Sequence, residues 1–256
     1  MKLTWDEAGS RLFETGVQNT ILFPAVSPGI YGKGVAWSGV SSISISPTGA
    51  EPTPIIANNV KIAEYISAED IGASIRAFTY PDEFAECDGS VQPLPGLYFT
   101  RQQRKRFSLA YRTELGNDLR GREYGYKIHI LYNCAAKPTD REYESANNDP
   151  NLLQFEWDIS TIPEYIEGYA PTSYVVIDTT QFPVVNINLL NQILNGTDYT
   201  DPRLPTPDEL IDILEWHDSS WEAGVFPVLD NSYYPDPEPY TEALIGFYRK
   251  LDERRF

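Results

Sequence analysis

The sequence has few of the residues that usually carry catalysis. Its 256 residues include two histidines, His129 and His217, two cysteines, Cys87 and Cys134, and one methionine. The cysteines are not spaced as a C-x-x-C pair, which argues against a structural zinc site and against a disulfide scaffold. G-x-S-x-G, H-E-x-x-H, P-loop and G-x-G-x-x-G motifs are all missing from the sequence. We therefore predict a protein that is not an enzyme, with no catalytic residue, no metal site and no cofactor.

Long hydrophobic runs are missing as well. No stretch approaches the roughly 18 apolar residues that a membrane helix needs. The first residues, Met1–Glu7, contain no apolar stretch typical of a secretory signal. We therefore expect a protein made in the cytoplasm that does not enter a membrane, with both cysteines as buried free thiols.

Basic residues are scarce in the second half of the chain. Residues 1–137 contain 14 acidic and 14 basic residues, whereas residues 138–256 contain 23 acidic and 6 basic residues, which is the source of the net charge of −17. Such a surface repels nucleic acid and anionic membranes. Two interpretations remain open: a solvated acidic surface, or a surface that avoids adhering to a polyanion. The one basic cluster, Arg101–Arg106, suits either a phosphate or the acidic half of a neighbouring copy.

Apolar residues alternate with polar ones along much of the chain, which predicts a mainly β fold. A hairpin is expected in which Phe107, Leu109, Tyr111, Ile128 and Ile130 form one core face, with a long exposed loop over residues 115–125. The predicted strands are residues 35–45, 60–66, 71–79, 104–114, 126–133, 152–160 and 174–178. Strands of this number and spacing are typical of a β-sandwich or a partly closed barrel.

Helix signals are confined to the C-terminal half. Pro183 precedes an apolar stripe that ends at Asn195-Gly196, and Thr206–Glu209 has the spacing of a capping box. A third helix is predicted over residues 241–254. We expect a β domain over residues 1–205, with an N-terminal arm over residues 1–30 and one flanking helix, followed by an acidic C-terminal extension over residues 206–256.

Two acidic groups invite other interpretations. The segment Asp82–Gly89 carries four carboxylates, but its spacing does not fit an EF-hand, so a solvated turn is favoured over a cation site. Glu156 and Asp158 lie two residues apart on a predicted strand of a chain that is 13% aromatic. A glycan-binding or glycan-cleaving domain is therefore a second hypothesis, although the same spacing is typical of a plain solvated strand face.

Several dispersed segments carry a resemblance to a known family. The most specific of them is Thr79-Tyr80-Pro81-Asp82-Glu83-Phe84-Ala85-Glu86-Cys87-Asp88-Gly89. The others, in chain order, are 5–9, 13–17, 34–40, 46–51, 111–113, 116–118, 125–129, 203–205 and 207–209. Over about residues 5–215 the chain resembles the major tail protein, or tail tube protein, of long-tailed phages that infect Gram-positive bacteria.

The resemblance implies a structural protein of the virion, assembled in the host cytoplasm. Its subunits would form rings of six that stack into a hollow tube around a tape-measure protein, with tail terminator and distal tail proteins at the tube ends. DNA would pass through the tube without specific binding. The alternative within the same setting is a glycan-binding or glycan-cleaving domain of the tail tip. Residues 216–256 extend beyond the region of resemblance.

Candidate contact residues follow from this interpretation. We expect Glu156 and Asp158 to face the lumen, because acidic walls repel DNA. Contacts between rings or between subunits are expected in the N-terminal arm and in the loops at 80–96 and 115–125. The candidate residues are Trp5, Asp82, Glu83, Phe84, Arg104, Arg106, Asn117 and Asp118.

Overall fold

The structure is a computed structural model, and it describes residues 3–141, 143 and 152–215. Thirteen strands, three helices and a 3-10 turn at Thr179–Gln181 follow one another in this part of the chain. The strands are β1 (Leu12–Ser27), β2 (Ile30–Tyr31), β3 (Val35–Ala36), β4 (Val40–Gly49), β5 (Pro52–Ala57), β6 (Val60–Ile66), β7 (Glu69–Ala77), β8 (Val91–Leu94), β9 (Leu97–Phe99), β10 (Phe107–Asn117), β11 (Gly121–Ala136), β12 (Phe155–Ser160) and β13 (Tyr174–Asp178). The helices are α1 (Phe84–Cys87), α2 (Val184–Asn195) and α3 (Pro207–Glu215).

The strands form two layers joined through β11. The front layer contains β1, β3, β10, β11 and β13, and the back layer contains β12, β7 and β4, with antiparallel pairing throughout. The first part of β11 pairs with β13, whereas its last residues, Ala135 and Ala136, pair with β12. Asn133, with φ 49°, lies at a register shift just before these residues, where β11 passes from one layer to the other. The prediction of a mainly β sandwich with a flanking helix is confirmed.

Two hydrophobic clusters cover the two faces of the front layer. One lies between the layers and packs Leu109 and Tyr111 against Ile75, Trp157 and Phe84. The other lies on the opposite face and packs Ile128 and Ile130 against α2 and α3. Because both faces are covered, the molecule has three layers: helices, front sheet and back sheet.

The predicted hairpin exists, but its two strands do not share one core face. Ile130 is paired with Ala110, so the side chains of Ile128 and Ile130 lie on the face opposite to Leu109 and Tyr111. All of them are buried. The expected long loop over residues 115–125 is also wrong, because β10 continues to Asn117 and β11 begins at Gly121, which leaves a three-residue turn.

The domain limits differ from the expected ones. Residues 12–27, expected in an N-terminal arm, form the long strand β1 of the front layer, which pairs with β10 along its length and with β3 over two residues. Leu210 and Ile213 of α3 are buried in the same cluster as α2, so the β domain continues past residue 205. The helix over α2 is confirmed. At Thr206 the N-cap bond of the predicted capping box forms, since Thr206 Oγ1 accepts a hydrogen bond from the Glu209 amide at 3.2 Å, whereas the Glu209 carboxylate bonds to Arg203. The helix predicted at 241–254 lies outside the described residues.

Candidate assembly surface

A two-stranded ribbon extends from the back layer. The pairing of β4 with β7 ends at Gly49 and Glu69, and the pairing of β5 with β6 resumes at Pro52 and Ile66. Gly49 and Ala50 both have positive φ at the junction, where the chain bends. The six residues of β5 give the ribbon a length of roughly 20 Å.

The ribbon exposes many large apolar side chains. Every residue of β5 and β6 is exposed, which means that both faces of the ribbon are accessible. Six of its side chains are aliphatic or aromatic, with exposed fractions between 48% and 65%: Ile55, Ile56, Val60, Ile62, Tyr65 and Ile66. An isolated two-stranded ribbon is marginally stable in water, and an apolar surface of this kind is typical of an interaction site.

A second exposed hairpin is formed by β8 and β9. Leu94 and Leu97 pair across its turn, where Gly96 has φ 85°. The exposed apolar side chains of this hairpin are Val91, Leu94, Leu97, Tyr98 and Phe99. β8 and the turn lie inside the predicted contact loop 80–96, and β9 follows directly after it.

The N-terminal residues and the β10–β11 turn form a third exposed apolar region. Asn117 donates to the Gly9 carbonyl at 3.3 Å, and Asp118 accepts from the Gly9 amide at 2.9 Å. These bonds hold the N-terminal segment beside the turn. The exposed apolar side chains here are Leu3, Trp5, Leu12, Phe13 and Leu119.

The predicted contact residues divide into exposed and buried ones. Trp5, Asp82, Glu83 and Asp118 are exposed and remain candidates for contacts. Phe84 is fully buried between Trp37, Phe107 and Trp157, so it is a core residue and does not belong to the surface.

Asn117 is also buried. Its side-chain oxygen accepts hydrogen bonds from the amides of Leu119 and Arg120, which closes the β10–β11 turn. Sequence reasoning placed this residue in a loop because the turn chemistry of Asn117 was not recognised.

The basic cluster is largely engaged within the subunit. Arg104 donates to the Ala136 carbonyl at 2.9 Å, and Arg106 donates to the Asn133 carbonyl at 2.8 Å. Lys105 forms an ion pair with Glu86 at 2.5 Å. A groove of about 520 Å³ lies beside Arg104 and Arg106. These contacts assign both arginines a structural role at the corner where β11 changes layer.

The acidic segment 82–88 does not gather into a cation site. Asp88 is paired with Arg104 and Arg141 and accepts a hydrogen bond from Trp157 Nε1 at 3.2 Å. Asp82 and Glu83 point to solvent. Among the described residues, no group of three or more histidine, cysteine or acidic residues is arranged to hold a metal ion.

Glu156 and Asp158 lie on the exposed face of β12. Their neighbours Trp157 and Ile159 are buried on the other face, as the alternation predicts. Glu156 pairs with Arg76 of β7 at 3.0 Å, and Asp158 lies opposite Ser74. The two acids therefore share the polar outer face of the back layer. Their position in a lumen stays a prediction.

His129 belongs to a buried polar cluster and not to an exposed strand face. Its Nδ1 lies 2.7 Å from the Tyr174 hydroxyl, and its Nε2 lies 2.7 Å from Thr113 Oγ1. Glu14 accepts hydrogen bonds from Thr113 and Lys127, both at 2.6 Å. Sequence reasoning missed this cluster because Glu14 lies in the segment interpreted as an arm. His217 lies outside the described residues.

Besides the short strands and the two hairpins, β4 and β13 of the two layers each have an open side. Among the described strands, β4 pairs only with β7, and β13 pairs only with β11. β4 has ten residues and none of them is charged. A long uncharged edge is a ready template for a strand from another chain, because its outward backbone groups are unpaired.

Comparisons with known proteins are sparse. No protein-family model matches the chain, and no curated protein matches it. Among solved structures, the chain is similar to a chain of the cryo-EM structure of the anti-feeding prophage baseplate, with 9% identity and a TM-score of 0.33 over 69% of this chain and 97% of that chain. So low a TM-score does not show a shared fold. In the described part of the chain, no helix has the length and hydropathy to cross a membrane.

Proposed function

We propose that this protein is a structural component of a phage tail, and more specifically that its copies form stacked rings of a tail tube. The dispersed segments that resemble major tail proteins motivate the proposal. The mainly β fold of the chain is the fold expected from this resemblance. Rings of six, a tape-measure protein in the lumen, and terminator and distal tail proteins at the ends belong to this proposal.

The exposed apolar ribbon is the observation that carries the proposal. Fully burying a large aliphatic side chain contributes about 1.5–3 kcal/mol. Five aliphatic side chains and Tyr65 on β5 and β6 are about half exposed or more, so covering them supplies a substantial driving force for association. Only part of that energy appears as affinity, since association also orders side chains and restricts motion. A subunit that stayed monomeric would expose this surface to non-specific aggregation.

The open edges of β4 and β13 complement the ribbon. A contact between different surfaces of identical copies closes into a ring, and a second such contact that does not close extends the assembly into a filament. The ribbon and an uncharged edge provide two distinct surfaces for these two contacts. A tube of stacked rings needs both kinds.

The experiment compares the full chain with a ribbon variant, Ile56→Ser combined with Ile62→Ser. Light scattering on a sizing column, followed by negative-stain microscopy, measures the assembly over a range of concentrations. We expect rings or tubes from the unaltered chain. The ribbon variant should stay monomeric with an unchanged circular dichroism spectrum, because both altered side chains are exposed in the subunit.

The matched control is Leu152→Ser combined with Tyr199→Ser, which removes two exposed side chains elsewhere. This control should assemble like the unaltered chain. Persistent monomers of the unaltered chain would contradict the proposal. If those monomers bound strongly on a glycan array, the tail-tip alternative would replace it.

A further inference from the structure

The N-terminal half of β1 is held separately from the rest of the strand. Residues Leu12–Thr15 pair with the end of β10, but two register shifts around Gln18 separate them from Ile21–Pro24. Gly16 and Asn19 have positive φ within these shifts. The first four residues of β1 therefore form a short strand whose attachment depends on local contacts.

Glu14 provides the central side-chain contact of this short strand. Its carboxylate is 3.2 Å from His129 Nε2 and accepts hydrogen bonds from Thr113 of β10 and Lys127 of β11. His129 is stacked on Tyr111, with ring centroids 4.7 Å apart and an angle of 6° between the planes. The cluster thus connects β1, β10, β11 and β13 through polar side chains.

The hydrogen bonds of the cluster fit a neutral His129. Thr113 donates its proton to Glu14, so Thr113 Oγ1 accepts from His129 Nε2–H. His129 Nδ1 then accepts from the Tyr174 hydroxyl. Protonation of Nδ1 removes this acceptor and places a positive charge on a residue that is 5% exposed.

We propose that the cluster of Glu14, Lys127 and His129 is an acid-sensitive clamp that attaches Leu12–Thr15 to the front layer and opens at low pH before the rest of the domain unfolds. This inference concerns the subunit itself and is independent of the tube proposal. Opening of the clamp would free the exposed apolar side chains Leu12 and Phe13 from their fixed position.

The titratable and charged groups around His129 determine how the stability of the clamp changes with pH. They are Glu14 of β1, Tyr111 of β10, Lys127 of β11, and Tyr174 and Asp178 of β13. Burial lowers the pKa of His129 below its ordinary value of 6.5, and Glu14 offsets only part of this effect. Because the unfolded chain then binds the proton more readily, the clamp is fully stable above pH 6.5 and weakens as the pH falls toward the folded pKa.

Protonation of Glu14 causes a second loss of clamp stability at lower pH. Burial acts to raise the pKa of Glu14, but the hydrogen bonds from Lys127 and Thr113, together with the charges of Lys127 and His129, lower the pKa below 4.5. The contribution of Glu14 to stability is therefore present above pH 4.5 and is lost as the pH falls through its folded pKa. Both groups favour a closed clamp at neutral pH.

Hydrogen exchange of the full chain tests the clamp between pH 7.5 and 4, with rates corrected for the intrinsic effect of pH. Protection of the amides in Leu12–Thr15 should fall by about tenfold more than protection in α2, because the clamp opens before the domain unfolds. Glu14→Gln should show fast exchange in Leu12–Thr15 already at pH 7.5. Glu123→Gln, which alters an exposed acid of β11, should exchange like the unaltered chain.

His129→Gln separates the protonation of His129 from that of Glu14. A glutamine amide can accept a hydrogen bond from Tyr174 and donate one to Thr113, but it does not titrate. Protection of Leu12–Thr15 in this variant should be constant between pH 7.5 and 5. If protection of Leu12–Thr15 in His129→Gln fell with pH as it does in the unaltered chain, the proposal would be overturned. A parallel fall of protection in β1 and α2 in the unaltered chain would overturn it as well, and this arm does not depend on whether the variant folds.

Discussion

Ile128 and His129 are adjacent in β11, and their side chains lie on opposite faces of the front layer. Ile128 packs on the helices, whereas His129 points toward the back sheet and is kept by hydrogen bonds to Thr113 and Tyr174. The alternation of the sequence located both positions on a strand. It did not show that the polar residue is buried too, because a buried polar group depends on partners that are distant in the sequence.

Ile128→Ala tests the helix-facing core at this position. The side chain is 1% exposed, so its truncation should lower the free energy of unfolding by about 2–5 kcal/mol through the cavity that it leaves. Denaturant unfolding measures the loss. Ile162→Ala, at an exposed position, should cost much less. A loss near zero for Ile128→Ala would contradict the burial of this side chain beneath the helices.

At the scale of elements, the strands with simple alternation were predicted well. β13 and β6 were predicted with the bounds that the structure has, and β12 and β7 with small differences. β1 was missed because Gly16 and Asn19 interrupt its alternation at the two register shifts. β5 was missed because Pro52 and Pro54 argue against a strand, although an edge strand such as β5 tolerates proline.

The orientation of the β10–β11 hairpin was not predictable from periodicity alone. In a sheet that is covered on both faces, both sets of alternating residues are apolar or bonded internally, so the pattern does not identify one core face. Ser108 and Ala110, which alternate with the predicted core residues Phe107, Leu109 and Tyr111, are both buried as well. The register, which pairs Ala110 with Ile130, determines which residues of the two strands share a face.

Truncation after Glu215 tests how the helical layer is completed. The shortened chain keeps α2 and α3, whose buried residues Leu190, Leu210 and Ile213 close the second cluster. We expect it to remain soluble and folded, with a melting temperature within a few degrees of the full chain. Circular dichroism measures the folded structure and the melting temperature. An unfolded truncated chain would show that residues 216–256, which include Trp216 and Trp221, contribute to the core.

At the scale of the whole molecule, the charge is uneven along the chain. The net charge of −17 arises beyond residue 137, and Glu156 and Asp158 belong to this acidic half. At physiological salt the Debye length is about 8 Å, so only acids on the inner wall of a tube act on passing DNA. An acidic exterior would serve solubility instead, and the position of β12 in the assembly distinguishes the two roles.

Charge reversal of the β12 acids tests their predicted position. Glu156→Lys combined with Asp158→Lys leaves both side chains on the exposed face, so we expect folding and tube formation to persist. DNA delivery by particles with this variant should be slower, because the lysines attract phosphate, and added salt should relieve the defect. Unchanged delivery would place these acids away from the lumen.

A reconstruction of the assembled full chain by electron cryo-microscopy tests the central claim most directly. The account predicts stacked rings in which the β5–β6 ribbon is buried between copies and the polar face of β12 lines the lumen. Monomers at every concentration, or an assembly in which Ile56 and Ile62 remain exposed to solvent, would contradict it.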